Sequence, residues 1–174
     1  MLLYMQVLVQ THGLNMNEKY FEQLSSAYLA HFCRRLSDLI IEQGSEILRE
    51  MKLVTPATAM STVFFLNKND KVTVAMLADA LGVSHQMATQ RINALEKIGI
   101  VKRISSNEDK RAKAVILTKH GKSEVRKLEP FAKQMTDVLE EFEAELGSQL
   151  TKLIRQAELA LLDKPLKVRL NQKR

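Results

Sequence analysis

The chain has no tryptophan, a single cysteine, three prolines and six glycines in 174 residues. One thiol, Cys33, excludes an intrachain disulfide and suits a reducing compartment, so a cytoplasmic location is expected. So few helix breakers leave a chain rich in Leu, Ala, Glu and Lys free to be mainly helical. No uncharged run approaches the roughly 20 residues needed to span a bilayer, so no membrane partner is expected. The apolar opening at residues 1–9 lacks a basic lead and a small-residue cleavage site, which argues against a secretory signal. His12, His31, His85 and His120 stand far apart with no cysteine cluster beside them, so no metal site is expected. No nucleophile has a base close by in sequence, and no glycine-rich loop could cradle a phosphate. Neither an enzyme nor a bound cofactor is expected.

Positive charge is abundant but local. The net charge is +6 with a pI near 9.5, a balance that favours an anionic partner. Between residues 102 and 127 the bases are Lys102, Arg103, Lys110, Arg111, Lys113, Lys119, Lys122, Arg126 and Lys127. Against them stand only Glu108, Asp109 and Glu124, so this segment alone carries an excess equal to that of the whole chain.

Residues 1–16 read as an extension, with Gly13 and Asn15 as breakers. Phe21, Leu24, Tyr28, Phe32, Leu36 and Leu39 then recur at steps of three and four, which predicts one continuous helix over 18–51 with a bend at Gly44. Cys33 lies on this helix and is expected in its core. Thr55-Pro56 reads as a helix start, Thr as cap and Pro at the first helical position. Thr73 caps a short helix to Leu81, Gly82 ends it, and Ser84 caps a second helix to about Ile98. Residues 100–104 and 114–118 form a hairpin with a long charged tip, and Lys71-Val72 could pair at its edge. Helix resumes beyond Gly121, kinked at Pro130 and jointed at Gly147, until Pro165 ends it ahead of a basic tail.

The stretch 73–121 carries the most information: helix, tight turn, helix, hairpin. Gly82 permits the turn, Ala78 and Ala88 let two helices approach, and Val83, Ile92 and Leu95 pin the second helix to a core. That leaves Ser84, His85, Gln86, Thr89, Gln90 and Asn93 to face a major groove, where Gln and Asn suit adenine edges. At the hairpin tip, Arg111 suits a minor groove, Lys110 and Lys113 suit phosphates, and Asp109 would orient Arg111. A winged helix used for protein contact is the alternative. It would need large apolar anchors on the second helix, which offers only Met87 and Ala88.

Gly82-Val83-Ser84, the run from Leu95 to Val101, Asp109-Lys110-Arg111 and Leu117-Thr118-Lys119-His120-Gly121 together resemble the MarR family of bacterial regulators. Leu53-Val54-Thr55-Pro56 is similar to the start of that family's second helix. Two features depart from the pattern: Arg91 stands where an aliphatic residue is common, and residues 1–16 have no counterpart. The resemblance implies a homodimer on palindromic double-stranded DNA, usually a repressor, often released by a small anionic or phenolic effector. It would place the effector where the terminal arms meet the winged helix, with Tyr28, His31, Arg34 and Arg35 as the nearby polar candidates.

The expected fold is mainly α: a winged helix-turn-helix with a two-stranded wing and long N- and C-terminal dimerisation helices. The expected divisions are an extension at 1–16, a dimerisation helix at 17–52, the winged helix-turn-helix at 53–121, and C-terminal dimerisation helices with a basic tail at 122–174. The apolar stripes of the two arms exceed what a small winged helix can cover, which favours a second copy over a monomer with folded-back arms.

Overall fold

A computed structural model describes residues 25–105 and 113–173. The chain divides into two compact units, Met1–Ser61 and Thr62–Arg174. In the first unit, α1 spans Leu29–Glu50 behind a single 3-10 turn, Ser26–Tyr28. Residues 18–24 of the helix expected over 18–51 lie outside the described residues; among those described, the helical run starts only after Ser25, whose backbone is extended and whose hydroxyl accepts the amide of Ala27 at 3.3 Å. A serine that bonds its own neighbouring backbone competes with the helix ladder, which suits Ser25 to a cap rather than a helix interior. The helix passes through Gly44 without a break in its assigned span. Leu48 is its one buried residue, and Cys33 is exposed rather than in a core.

The second helix also starts later than expected. Thr55 does not cap it: Pro56 is the N-cap, in extended conformation, of a 3-10 turn at Ala57–Ala59 that leads into α2, Met60–Lys68. Proline's fixed φ of −60° serves an extended cap as well as a first helical residue, so the Thr-Pro pair leaves the start ambiguous by one position.

In the second unit, α3 (Val74–Leu81) and α4 (His85–Lys97) are joined by the turn at Gly82. An antiparallel hairpin follows, β1 (Val101–Ser105) with β2 (Lys113–Leu117), in a register that pairs Val101 with Leu117 and Ser105 with Lys113. Val72 adds an isolated bridge to Val115, its carbonyl accepting that residue's amide at 2.8 Å. Helices over winged strands in this order make a winged helix-turn-helix. Its core comprises Val63, Leu77, Ile92, Leu95, Ile100, Val115 and Leu128, all essentially inaccessible to solvent.

Helix α5 runs Lys119–Glu145 and α6 runs Leu150–Asp163. Gly121 lies inside the first turn of α5, not ahead of it: Thr118 is the cap, its hydroxyl accepting the Gly121 amide at 3.0 Å. Pro130 is accommodated inside the same helix. At Gly147 the backbone turns left-handed, φ 62°, and ends α5. Within the residues expected as a basic tail lies one more short helix, α7 (Leu166–Asn171). The Arg169 side chain explains it, donating to the carbonyls of Lys164 and Ala160 at 2.7 and 2.6 Å and so satisfying the open end of α6.

Candidate nucleic-acid interface

The turn between α3 and α4 is built from strictly local bonds. The hydroxyl of Thr73 accepts the Met76 amide at the start of α3. Gly82 adopts φ 61°, where a side chain would be strained, and the Val83 amide returns to the Ala78 carbonyl at 3.0 Å. Ser84 then caps α4 by accepting the Met87 amide at 3.1 Å. Ala88, Ile92 and Leu95 bury one side of α4 completely. With those positions facing inward at helical spacing, His85, Gln86, Gln90 and Asn93 are left exposed.

Not all of these polar groups are equally available. The hydroxyl of half-buried Thr89 donates to the His85 carbonyl at 2.8 Å, which spends its one hydrogen and leaves it an acceptor. The carbonyl oxygen of the Asn93 side chain accepts from the guanidinium of Arg103 at 2.7 Å. Arg103 also pairs with Glu96, so a residue of the first wing strand grips two positions on the outer side of α4. Sequence reasoning passed over both Arg103 and Glu96. Each reads as one more surface charge, and only the chain reversal between α4 and β1 brings them together.

Lys113 opens β2 and is exposed. Asp109, Lys110 and Arg111 lie outside the described residues, so their expected roles rest on the sequence. Arg91 is half-buried on α4. The base of the wing is tied to α5 by Thr118, whose hydroxyl donates to the Gly99 carbonyl at 2.6 Å and whose amide donates to Ile100 at 3.0 Å.

In the first unit, His31, Arg34 and Arg35 share one side of α1 with Asp38, Leu39 and Glu42, along an open groove of about 470 Å³. Arg34 pairs with Asp38 across one turn at 3.6 Å, both side chains well exposed. Tyr28 lies one turn earlier and is half exposed. Among the described residues no three His, Cys, Asp or Glu side chains are grouped to hold a metal, and no helix is long and apolar enough to cross a membrane.

Residues 54–112 match the family model of the MarR family. This segment, a winged helix, is similar to the MarR family. The match begins two residues before Pro56 and runs through α4 and the first wing strand. A curated relative, the uncharacterized HTH-type transcriptional regulator YfiV of Bacillus subtilis (strain 168), is 36% identical over 78 residues. Those residues are 45% of this chain and 49% of YfiV, so the chain spans about half the length of the curated relative it matches. Among solved structures, a MarR/EmrR family regulator from Acinetobacter sp. ADP1 is similar at TM-score 0.64 and 20% identity, covering 80% of this chain and 99% of that one. M. tuberculosis MOSR in complex with DNA gives 0.62 and 22%, covering 78% and 95%. The S. aureus MepR–DNA complex gives 0.59 and 20%, covering 78% and 99%. The likeness to these structures is one of fold, and it reaches beyond the matched segment.

Proposed function

We propose that this chain is a sequence-specific DNA-binding transcriptional regulator that reads a palindromic operator as a homodimer and represses transcription. The observation that carries the reading is the outer side of α4: capped at Ser84, anchored by three fully buried residues, and lined with His85, Gln86 and Gln90 free to meet base edges. Lys113 on the wing, with Lys110 and Arg111 beyond it, supplies cations for the phosphates and the minor groove, and Asp109 orients Arg111. The curated relative's name and the DNA-bound structural relatives support the same reading.

The homodimer is supported by apolar surface that a lone chain leaves open. Leu159, Leu162 and Leu166 are 65%, 79% and 70% exposed, and Tyr28, Leu29 and Phe32 are exposed at the start of α1. Large leucines that open on two consecutive helices suit burial against a second copy, by which a two-fold axis would match a palindrome. A small anionic or aromatic effector would bind near Tyr28, His31, Arg34 and Arg35, where two arginines and a histidine flank the α1 groove. Such a regulator acts beside the chromosome, in the cytoplasm, and performs no catalysis.

Selection of bound duplexes from a random pool tests this reading. A palindromic consensus is the expected outcome. A pool that enriches no sequence overturns it and leaves the winged helix as a protein-contact module.

A further inference from the structure

An asparagine side chain such as Asn93 suits adenine, because an amide offers a donor and an acceptor side by side. The structure changes what it can offer. An arginine carries five N–H donors and no acceptor, so the amide must turn its oxygen, not its nitrogen, towards Arg103. The 2.7 Å bond is charge-assisted, and Arg103 is itself fixed by its ion pair with Glu96. The guanidinium takes one lone-pair direction of that oxygen and sets a cation beside the other. A second donor, such as the adenine amino group, would approach against that cation.

We infer that Asn93 meets DNA as a donor only, specifying guanine rather than adenine, and that Arg103 is the positioning residue that makes it so. Guanine presents two acceptors, N7 and O6, at its major-groove edge and no competing donor. With its oxygen held by Arg103, the exposed Asn93 side chain offers the two N–H donors of its amide nitrogen, which complement them. Adenine lacks the second acceptor, and cytosine presents a donor. Arg103 thus shapes specificity from the wing strand while its own partners are protein groups. This inference rests on the DNA-binding reading above.

Duplex selection with the full chain, run in parallel for wild type, Asn93→Ala and Arg103→Met, tests it. Asn93→Ala is expected to lose preference at one symmetric pair of positions, and wild type to select guanine there. Arg103→Met frees the amide oxygen and is expected to move the same pair towards adenine, a change of roughly 10-fold in relative preference, with the rest of the consensus kept. A merely structural role for Arg103 would weaken all sequences alike and leave the preferred base unchanged. On wild type alone, 7-deazaguanine at that pair, which removes the N7 acceptor, is expected to lower affinity, and this arm stands even if Arg103→Met folds poorly. Adenine at the wild-type pair, an unchanged base in Arg103→Met, an Asn93→Ala consensus identical to wild type, or indifference to 7-deazaguanine each overturns the inference. A wild-type chain that selects no sequence at all overturns instead the DNA-binding reading beneath it.

Discussion

A Cβ placed on Gly121 would fall 2.1 Å from the carbonyl oxygen of Ile100, well inside any real contact. The first turn of α5 therefore presses directly on the backbone that leads into the wing, and the Thr118 cap bonds to that same carbonyl through its amide. The obstacle is backbone held by the sheet, not the end of a flexible side chain, so it cannot swing aside. Gly121→Ala is expected to destabilise the fold by about 1–3 kcal/mol, as overpacking of a tight site does. Denaturant unfolding measures it, and a loss within about 0.5 kcal/mol, the scatter of a neutral surface change, would show that the contact relaxes freely.

Glu143 links the two helices around Gly147. Its carboxylate accepts the Thr151 hydroxyl at 2.5 Å and the Thr151 amide at 2.8 Å, doing for α6 what the side chain of its own N-cap, Gln149, does not. The Thr151 hydroxyl first, and then the Thr151 amide, hold this carboxyl below its ordinary value of 4.5. A depressed acid contributes stability that is present above its unfolded pKa and lost as pH falls through the folded one. Amide exchange at Thr151 is therefore expected to speed up below about pH 4.5 beyond the intrinsic pH trend. Glu143→Gln keeps an acceptor but cannot titrate, so its Thr151 protection should stay flat over the same range. Equal acid sensitivity in the two proteins would locate the titration elsewhere.

The dimer reading makes a prediction that leaves the single chain's own core untouched. Leu162 is exposed in the chain, so Leu162→Glu should cost the isolated fold little. Burying a leucine in an interface is worth about 1.5–3 kcal/mol, and a two-fold axis repeats the change in both copies. Sedimentation is expected to show a dissociation constant raised by roughly 10²-fold or more, with unchanged helicity. Wild-type protein sedimenting as a stable monomer at micromolar concentration, or a variant that dimerises as tightly as wild type, would remove α6 from the interface.

The elements that were legible in the sequence are those fixed within four residues of themselves. Thr73 and Ser84 accept amides three positions on, and the Gly82 amide donates to carbonyls three and four positions back, so their identities alone placed α3, the turn and α4. The errors arise where a residue answers to something distant or to a choice between two local options. Pro56 can cap or begin a helix, and it caps. Gly121 looks like a breaker between elements, but it is small because of Ile100, 21 positions earlier in the chain. Residues 166–171 look like a basic tail, yet Arg169 returns to the end of α6. At the candidate site the side of α4 was readable from its apolar spacing. The engagement of Asn93 by Arg103, ten positions on and across a chain reversal, leaves no period in the sequence.

The division of labour between α4 and the wing is the remaining prediction. Gln90 is exposed near the middle of α4, opposite the buried Ala88, Ile92 and Leu95, and its hydrogen-bonding groups are free to follow a base edge. A bidentate glutamine contact discriminates by about 1–3 kcal/mol against the wrong base. Gln90→Ala is thus expected to flatten preference at one symmetric pair of positions and leave the others in place. Lys113 differs in kind: it is a point charge at the open end of β2, paired across the hairpin with Ser105, and suited to a phosphate oxygen. A phosphate carries no base identity, so Lys113→Ala should weaken every duplex by a similar factor. It should also reduce the salt dependence of binding, by about one unit of log–log slope per chain, because one fewer counterion is released. Fluorescence anisotropy on a panel of duplexes at several salt concentrations separates the two effects. If both variants lose affinity uniformly, or if Lys113→Ala alters the preferred base, the assignment of base reading to α4 and of anchoring to the wing is wrong.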